Sequence, residues 1–270
     1  DRRQRQMCIR DRGNWENMFM RRKFFTTLAA MLCSSAVIAD VNVGNPMAIT
    51  GPIPDLVAPM VKAIDLAVKH VNDQGGMFAA GESYNMVRAD TGCDPAGAVD
   101  AVTKLINVSS VSALVGPVCS GGTIAQAQSV SIPAGVVTLS VSASSKDITD
   151  MEDGTDLVFR TAASDAYQGV ALANLALAKG LKDIAVSYAN DDYNAAIAEV
   201  FTKAYTSAGG TITANEAHEP DKASYRSEVA TLGNTSDNLA LFAYYGSSGI
   251  TIMRNALETV SYTHLTLPTI

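Results

Sequence analysis

The chain has 270 residues, of which 47% are hydrophobic and 17% charged, so it can bury a large core and is not intrinsically disordered. Residues 1–39 hold eight basic and three acidic side chains, which leaves 12 basic and 24 acidic side chains in residues 40–270. This acidic body argues against binding to nucleic acid or to an anionic membrane surface, because Lys and Arg recognise both. With three His and four Cys in the chain, we expect no metal site and no cofactor.

Residues 20–39 have the layout of a secretory signal peptide. A positive stretch at 21–23 precedes a moderately apolar segment at 24–35, and a small-residue cleavage site at 37–39 follows. The alternative is a transmembrane helix, but the apolar segment is short and is broken by Thr and Ser. We therefore predict export to the periplasm through a cleavable signal peptide.

The two ends, residues 1–19 and 261–270, are interpreted as non-native sequence. Both resemble translated sequencing adapters at the ends of metagenomic reading frames, and neither shows a sustained apolar period. The alternatives are a natural basic extension and a natural final strand. On the adapter interpretation, the native protein continues beyond Val260.

Two cysteines, Cys93 and Cys119, remain once these ends are set aside. In an exported chain, such a pair is more typical of a disulfide than of a catalytic or metal site. The alternative is two unpaired, buried thiols.

Strand-like and helix-like segments alternate between residues 40 and 260. A helix through Val61 and Val71 stops at the glycines 75–76, and Asp94 followed by Pro95 is an N-cap signal for the next helix. The predicted strands span residues 41–48, 84–89, 113–115, 136–139, 157–161, 184–188, 211–214 and 239–244. Further helices are predicted at residues 95–108, 122–130, 164–179, 195–207, 224–232 and 249–259.

This alternation predicts an α/β fold of parallel sheets with right-handed crossovers. Two such stacks are present, at residues 40–161 and 162–260, and we predict that they join near residues 160–164.

Ligands of open α/β sheets bind at the carboxyl ends of the strands. This rule selects the loops at residues 49–57, 116–123, 140–146, 189–194 and 244–248. In the second loop, small residues around Ser120 lead a strand into a helix N-terminus, which suits an anion such as a carboxylate. The hydroxyl-rich residues 140–145 suit a polar head group, and the alternative for both loops is an ordinary surface turn. The absence of a Gly-Lys-Ser/Thr motif argues against nucleotide binding.

Several short motifs follow one another in a characteristic order over residues 40–260. They are Thr50-Gly51-Pro52, Val71-Asn72-Asp73-Gln74-Gly75-Gly76, Cys93-Asp94-Pro95, Gly116-Pro117-Val118-Cys119-Ser120, Phe159-Arg160-Thr161, Ser164-Asp165 with Gln168-Gly169, and Asn190-Asp191-Asp192-Tyr193. In this order the chain resembles the type I periplasmic solute-binding proteins of ABC transporters, especially the leucine/isoleucine/valine-binding branch. The resemblance implies two Rossmann-like, doubly wound lobes with a hinge where they join, lobe 1 at residues 40–161 and an incomplete lobe 2 at residues 162–260. Three crossover strands would join the lobes, which would close on a ligand, and the protein would be monomeric when full length.

The resemblance also implies roles for lobe 1 residues. Cys93 and Cys119 would form the small disulfide of the family, and Ser120 would hold the ligand α-carboxylate. Ser142 and Ser144 would bind both head groups through backbone and hydroxyl. Val141 stands where the family often has Pro, which changes the expected geometry of this loop.

For lobe 2, the resemblance implies that Asp165 contacts the ligand amine, with a helix N-terminal acid as the alternative. Tyr193 would cover the ligand, with a solvent-exposed side chain as the alternative. Tyr245 would extend the same wall, or Tyr244 would do so if the register slips by one residue. Leu56, from lobe 1, stands where some relatives carry an aromatic residue. A further acidic residue that neutralises the ammonium in the family would fall beyond Val260.

The leading hypothesis is a periplasmic receptor that captures a branched-chain or similar small amino acid and delivers it to an ABC permease in the inner membrane. A sensory module of the same fold is the alternative, because both use the same cleft. An exported hydrolase would need Ser120 as nucleophile and a His base. We predict no enzyme, since the Gly-x-Ser-x-Gly elbow is incomplete and His70 and His218 are expected at the surface.

Overall fold

The protein consists of two parallel sheets, each covered by helices. The computed structural model describes residues 40–77, 81–151 and 156–259 and the backbone of 264–266. The expected signal peptide and N-terminal extension, and most of the tail, lie outside the described residues. The strands of the first sheet are β1 (Val41–Met47), β2 (Tyr84–Asp90), β3 (Ala113–Val115), β4 (Val137–Ser140) and β5 (Val158–Arg160). Its helices are α1 (Pro54–Asp73), α2 (Pro95–Asn107), α3 (Ser120–Gln126), which continues as a π-helix (Ala127–Ser131), and α4 (Asp147–Asp150).

The second sheet follows directly in the chain. Its strands are β6 (Asp183–Ala189), β7 (Thr211–His218), β8 (Asn238–Phe242) and β9 (His264–Thr266). The helices are α5 (Asp165–Ala178), α6 (Asp192–Ser207), α7 (Arg226–Gly233) and α8 (Ser248–Thr259). The strand orders are β2-β1-β3-β4-β5 and β7-β6-β8-β9, and every pairing that the structure describes is parallel. The predicted α/β class with parallel sheets is confirmed.

The second sheet is doubly wound, because successive residues of a strand face opposite layers. Ala240 and Phe242 of β8 pack with α5 and α6, in a cluster that includes Phe201. Leu239 and Leu241 of the same strand pack with α7 and α8 on the other face. A near-continuous apolar run such as this is typical of a parallel strand that is buried on both sides.

Helix starts follow from capping residues that the sequence contains. The Asp94 side chain accepts a 2.7 Å hydrogen bond from the Gly97 N–H, and Pro95 occupies the first helical position, as predicted. Ser164 caps α5 by accepting a hydrogen bond from the Ala166 N–H. This cap begins the second lobe immediately after β5, so the chain crosses between the sheets at residues 161–164, where the hinge is predicted.

Several elements differ from the sequence-based expectation. Strand β7 runs on to His218 instead of ending at Ala214, because backbone pairing with β6 continues through polar residues at the sheet edge. Helix α3 begins at Ser120, two residues earlier than predicted, and the short helix α4 was not predicted. Residues 264–266 pair with β8, at a position where the sequence left a natural final strand as the alternative to a non-native tail.

Candidate functional site

A cleft of about 500 Å³ lies between the two lobes, at the carboxyl ends of the strands. All five loops selected from the sequence contribute to it, together with the crossover segment. The lining residues are Ile53, Leu56, Met60, Val118, Ser120, Ser142, Ser144, Ala162, Ala163, Ser164, Asp165, Tyr167, Gln168, Tyr193, Tyr244 and Tyr245. The six predicted ligand-binding residues are therefore all present in one cleft.

The lobe 1 wall is built from two loops that are bonded to each other. The Ser120 hydroxyl is buried and accepts a 3.3 Å hydrogen bond from the Ser145 N–H. In the opposite direction, the Ser142 hydroxyl donates to the Val118 carbonyl at 3.1 Å. Serine hydroxyls thus fix the spacing of the 116–123 and 140–146 loops.

The disulfide between Cys93 and Cys119 is present, with 5.5 Å between the Cα atoms. It joins the loop after β2 to the residue that caps α3, immediately before Ser120. Closing a loop of 26 residues contributes about 3.5 kcal/mol in the loop-entropy model. The disulfide therefore anchors the segment that presents Ser120 to the cleft.

Asp165 is the acidic group of the cleft, and only 7% of its surface is exposed. Its carboxylate accepts a 2.7 Å hydrogen bond from the Ser144 hydroxyl. Burial raises the pKa of Asp165 above its usual value, and hydrogen bonding from Ser144 and Tyr193 and the charge of Arg160 offset part of the rise. The residue is both a helix N-terminal acid and a cleft residue, so the two sequence interpretations describe the same position.

Three tyrosines form the lobe 2 wall. The Tyr193 ring lies 5.5 Å from that of Tyr244 and 5.4 Å from that of Tyr245, in tilted arrangements. Tyr193 is only 8% exposed, so the solvent-exposed alternative is wrong, and burial raises its pKa. Both Tyr244 and Tyr245 line the cleft, so the choice between them does not arise.

Tyr245 reaches across to the first lobe. It packs against an apolar cluster of lobe 1 that includes Met47 and Val118, and its hydroxyl interacts with the Ser120 backbone. Burial raises the pKa of Tyr245 well above its usual range. The two lobes also meet where Lys146 pairs with Glu199 at 3.3 Å. The structure thus describes the lobes in contact across the cleft.

The apolar part of the cleft lies on α1 and its preceding loop. Leu56 lines it together with Ile53 and Met60, and Leu56 itself is 46% exposed. A leucine at this position provides an apolar surface without an aromatic ring over the cleft.

Neither histidine considered as a catalytic base reaches Ser120. His70 is exposed on α1, as predicted, but the prediction that His218 is a surface residue is wrong. His218 ends β7, is 3% exposed, and its Nδ1 lies 2.9 Å from the Ser187 hydroxyl oxygen. Burial lowers its pKa to about 4. Among the described lining residues of the cleft there is no histidine.

Sequence reasoning missed Asn194, which follows Tyr193 and is 1% exposed. Its side chain bonds to the loop that carries Tyr244 and Tyr245. The only local signal for Asn194 was its position three residues after Asp191, from which a side chain can bond to the residue that caps the helix.

Across residues 40–77, 81–151 and 156–259, no helix is both long and apolar enough to cross a bilayer. The same part of the chain contains no group of three His, Cys, Asp or Glu side chains suited to a metal ion.

Comparison with known proteins gives a family. The model of the family described as periplasmic binding protein matches residues 40–261. The Leu/Ile/Val-binding protein BraC3 of Rhizobium johnstonii is 26% identical over 226 residues, which are 83% of this chain and 60% of BraC3. The chemotactic signal transduction system substrate-binding protein BasB of Halobacterium salinarum is 31% identical over 166 residues, 59% of this chain and 40% of BasB.

Solved structures give the same fold. The isoleucine complex of LivJ from Streptococcus pneumoniae has a TM-score of 0.71 and 26% identity, and the match covers 84% of this chain and 63% of LivJ. LivK of Thermotoga maritima has a TM-score of 0.72 and 20% identity, with 83% and 62% covered. The chain spans about 60% of the length of these relatives. It belongs to the periplasmic binding protein family and has the type I fold of LivJ and LivK.

Proposed function

We propose that the protein is an exported receptor that captures a branched-chain or similar small amino acid in the cleft between its lobes. The observation that carries this proposal is the buried Asp165 carboxylate, which faces the cleft beside the Ser144 hydroxyl. A buried carboxylate is costly unless it is paired, and a ligand ammonium group would pair with it.

The rest of the cleft suits the other parts of an amino acid. Ser120, at the start of α3, binds the ligand α-carboxylate in this proposal, because a helix start offers N–H donors and a favourable dipole. Ser142 supplies a second polar contact, and Tyr193 and Tyr245 cover the ligand from lobe 2. Leu56 and Ile53 offer the apolar surface that an aliphatic side chain requires.

The names of two relatives agree with this chemistry. BraC3 is named a Leu/Ile/Val-binding protein, and LivJ was solved with isoleucine. We propose the same ligand class here, delivery to an ABC permease in the inner membrane, and a periplasmic location reached through the signal peptide at residues 20–39. No chemistry on the ligand is required, since the relatives are binding proteins.

A thermal-shift panel of the common amino acids tests the proposal with purified protein. A ligand that binds only the folded state adds about 2.7 kcal/mol to the free energy of unfolding when its concentration is 100 times Kd. The melting temperature therefore rises when ligand is present. We expect leucine, isoleucine or valine to raise it, and Asp165→Asn to reduce the rise at the same ligand concentration. A flat melting temperature across the panel would overturn the proposal.

A sensory role is the second candidate, and the similarity to BasB favours it, because BasB is named for a chemotactic signal transduction system. The cleft is the same in both roles. Pull-down of the ligand-loaded protein with membranes that contain an ABC permease, or a transducer, separates the two candidates.

A further inference from the structure

Asn194 is buried behind the tyrosine wall and is bonded on both sides of its amide group. Its Oδ1 accepts a 3.1 Å hydrogen bond from the Tyr244 N–H. Its Nδ2 donates a 2.7 Å hydrogen bond to Asp191 Oδ2. The side chain thus bridges the start of α6 and the loop after β8, two segments that follow neighbouring strands of the second sheet.

The bridge starts from a fixed point. Asp191 is the N-cap of α6, and its Oδ1 accepts a 2.9 Å hydrogen bond from the Asn194 N–H. The carboxylate therefore holds both the backbone and the side chain of Asn194. Only a side chain with an acceptor and a donor at this length can satisfy Tyr244 and Asp191 together.

The bridge lies between the residues that form the wall. Tyr193 precedes Asn194 in α6, and Tyr245 follows Tyr244 in the bonded loop, so the amide connects the backbones that carry all three rings. The Tyr193 ring lies 5.4–5.5 Å from the rings of Tyr244 and Tyr245. Asn194 itself does not line the cleft.

We propose that Asn194 is a positioning residue for ligand binding, which sets the place of Tyr244 and Tyr245 relative to Tyr193. This inference rests on the proposed function for its effect on affinity. Its structural part, the hydrogen bond to the Tyr244 N–H, is independent of any ligand.

Exchanging the two bridging groups tests the proposal. Asn194→Asp keeps an acceptor for Tyr244 but sets two carboxylates against each other, so we expect at least about a tenfold loss of leucine affinity. The double variant Asp191→Asn/Asn194→Asp restores one donor and one acceptor and should recover affinity to within about threefold. Asn190→Asp, a matched change in the same loop whose side chain bonds to Glu219 instead, should change affinity less than about twofold.

Hydrogen exchange supplies a readout that needs no ligand. The Tyr244 N–H is hydrogen-bonded to Asn194 Oδ1, so we expect it to exchange slowly in the native protein. Asn194→Ala should speed its exchange in the peptide covering 243–247, with little change at β6. Native affinity in Asn194→Asp, an unrescued double variant, or unchanged exchange would overturn the proposal. Native protein that binds no amino acid would overturn the proposed function, while the exchange comparison would still decide the positioning role.

Discussion

Ser144 and Asp165 are joined by two hydrogen bonds that run in opposite directions. The Ser144 hydroxyl donates to Asp165 Oδ2 at 2.7 Å, and the Asp165 N–H donates to the Ser144 carbonyl at 2.9 Å. One residue belongs to the loop after β4 and the other begins α5, so the pair ties a binding loop of lobe 1 to the first helix of lobe 2. The acidic group of the cleft therefore lies at a junction between the two lobes.

The charge of Asp165 is expected to hold the ligand amine. Asp165→Asn keeps the shape and an acceptor for Ser144 but removes the charge, and loss of one partner of a buried charge pair costs about 2–5 kcal/mol. We expect leucine affinity to fall at least about 30-fold, measured by titration calorimetry. An amino-acid ligand that binds Asp165→Asn as tightly as the native protein would show that the amine is held elsewhere.

The pH dependence of binding follows from the same residue. Burial holds the pKa of Asp165 above its usual value, and an ammonium group binds only the ionised carboxylate. Ligand affinity should therefore fall as the pH is lowered, and this fall should begin at a higher pH than an exposed Asp would give. In that pH range, ligand binding should release protons. The folding stability of the unliganded protein depends on pH in the opposite direction. Because the pKa of Asp165 is raised in the folded state, its contribution to stability is fully present below the pKa of the unfolded state and is lost as the pH rises through the pKa of the folded state.

Calorimetry in buffers of different ionisation enthalpy measures that proton release. Ser144→Ala removes a hydrogen bond that lowers the pKa of Asp165, so it should move the loss of affinity to still higher pH. A pH profile that is the same in native protein, Ser144→Ala and Asp165→Asn would contradict the assignment.

The parts of the fold that were predicted correctly are those with a local cause. The cap at Asp94 and the apolar run Leu239–Phe242 are determined by neighbouring residues in the chain, and both were recognised. The boundary of β7 was missed because its pairing with β6, and not its own polar sequence, keeps residues 215–217 in the sheet.

The site was predictable where a rule of fold geometry applies. Carboxyl ends of parallel strands converge, so the loops that carry Ser120 and Tyr193 could be selected before the structure was known. The bridge from Asn194 to Tyr244 spans 50 residues of chain and has no local signal. Burial of His218 was missed for the same reason, since Glu216 and Glu219 make its surroundings look polar.

His218 should make stability sensitive to acid. Its pKa of about 4 in the folded protein lies below the usual 6.5, so the unfolded chain takes up the proton first. Stability is then complete above about pH 6.5 and falls by about 3 kcal/mol as the pH drops to about 4. Denaturant titrations at several pH values should show this slope in the native protein and a weaker one in His218→Gln. The exposed His70→Gln is the control and should keep the native slope.

Gly121 of α3 lies against Asp192 of α6, at a point where the two lobes meet. A Cβ atom at Gly121 would collide with Asp192 Oδ2 and would lie 3.4 Å from the Asp192 Cβ, so glycine permits the close approach. Gly121→Ala forces the Asp192 side chain to turn away in the closed form, which costs about 1 kcal/mol, or about fivefold in affinity. In an Asp192→Ala background the same substitution meets only an ordinary van der Waals contact and should cost almost nothing. This cycle separates a closure contact from a local effect on α3, because equal losses in both backgrounds would mean that the two residues do not meet when ligand binds.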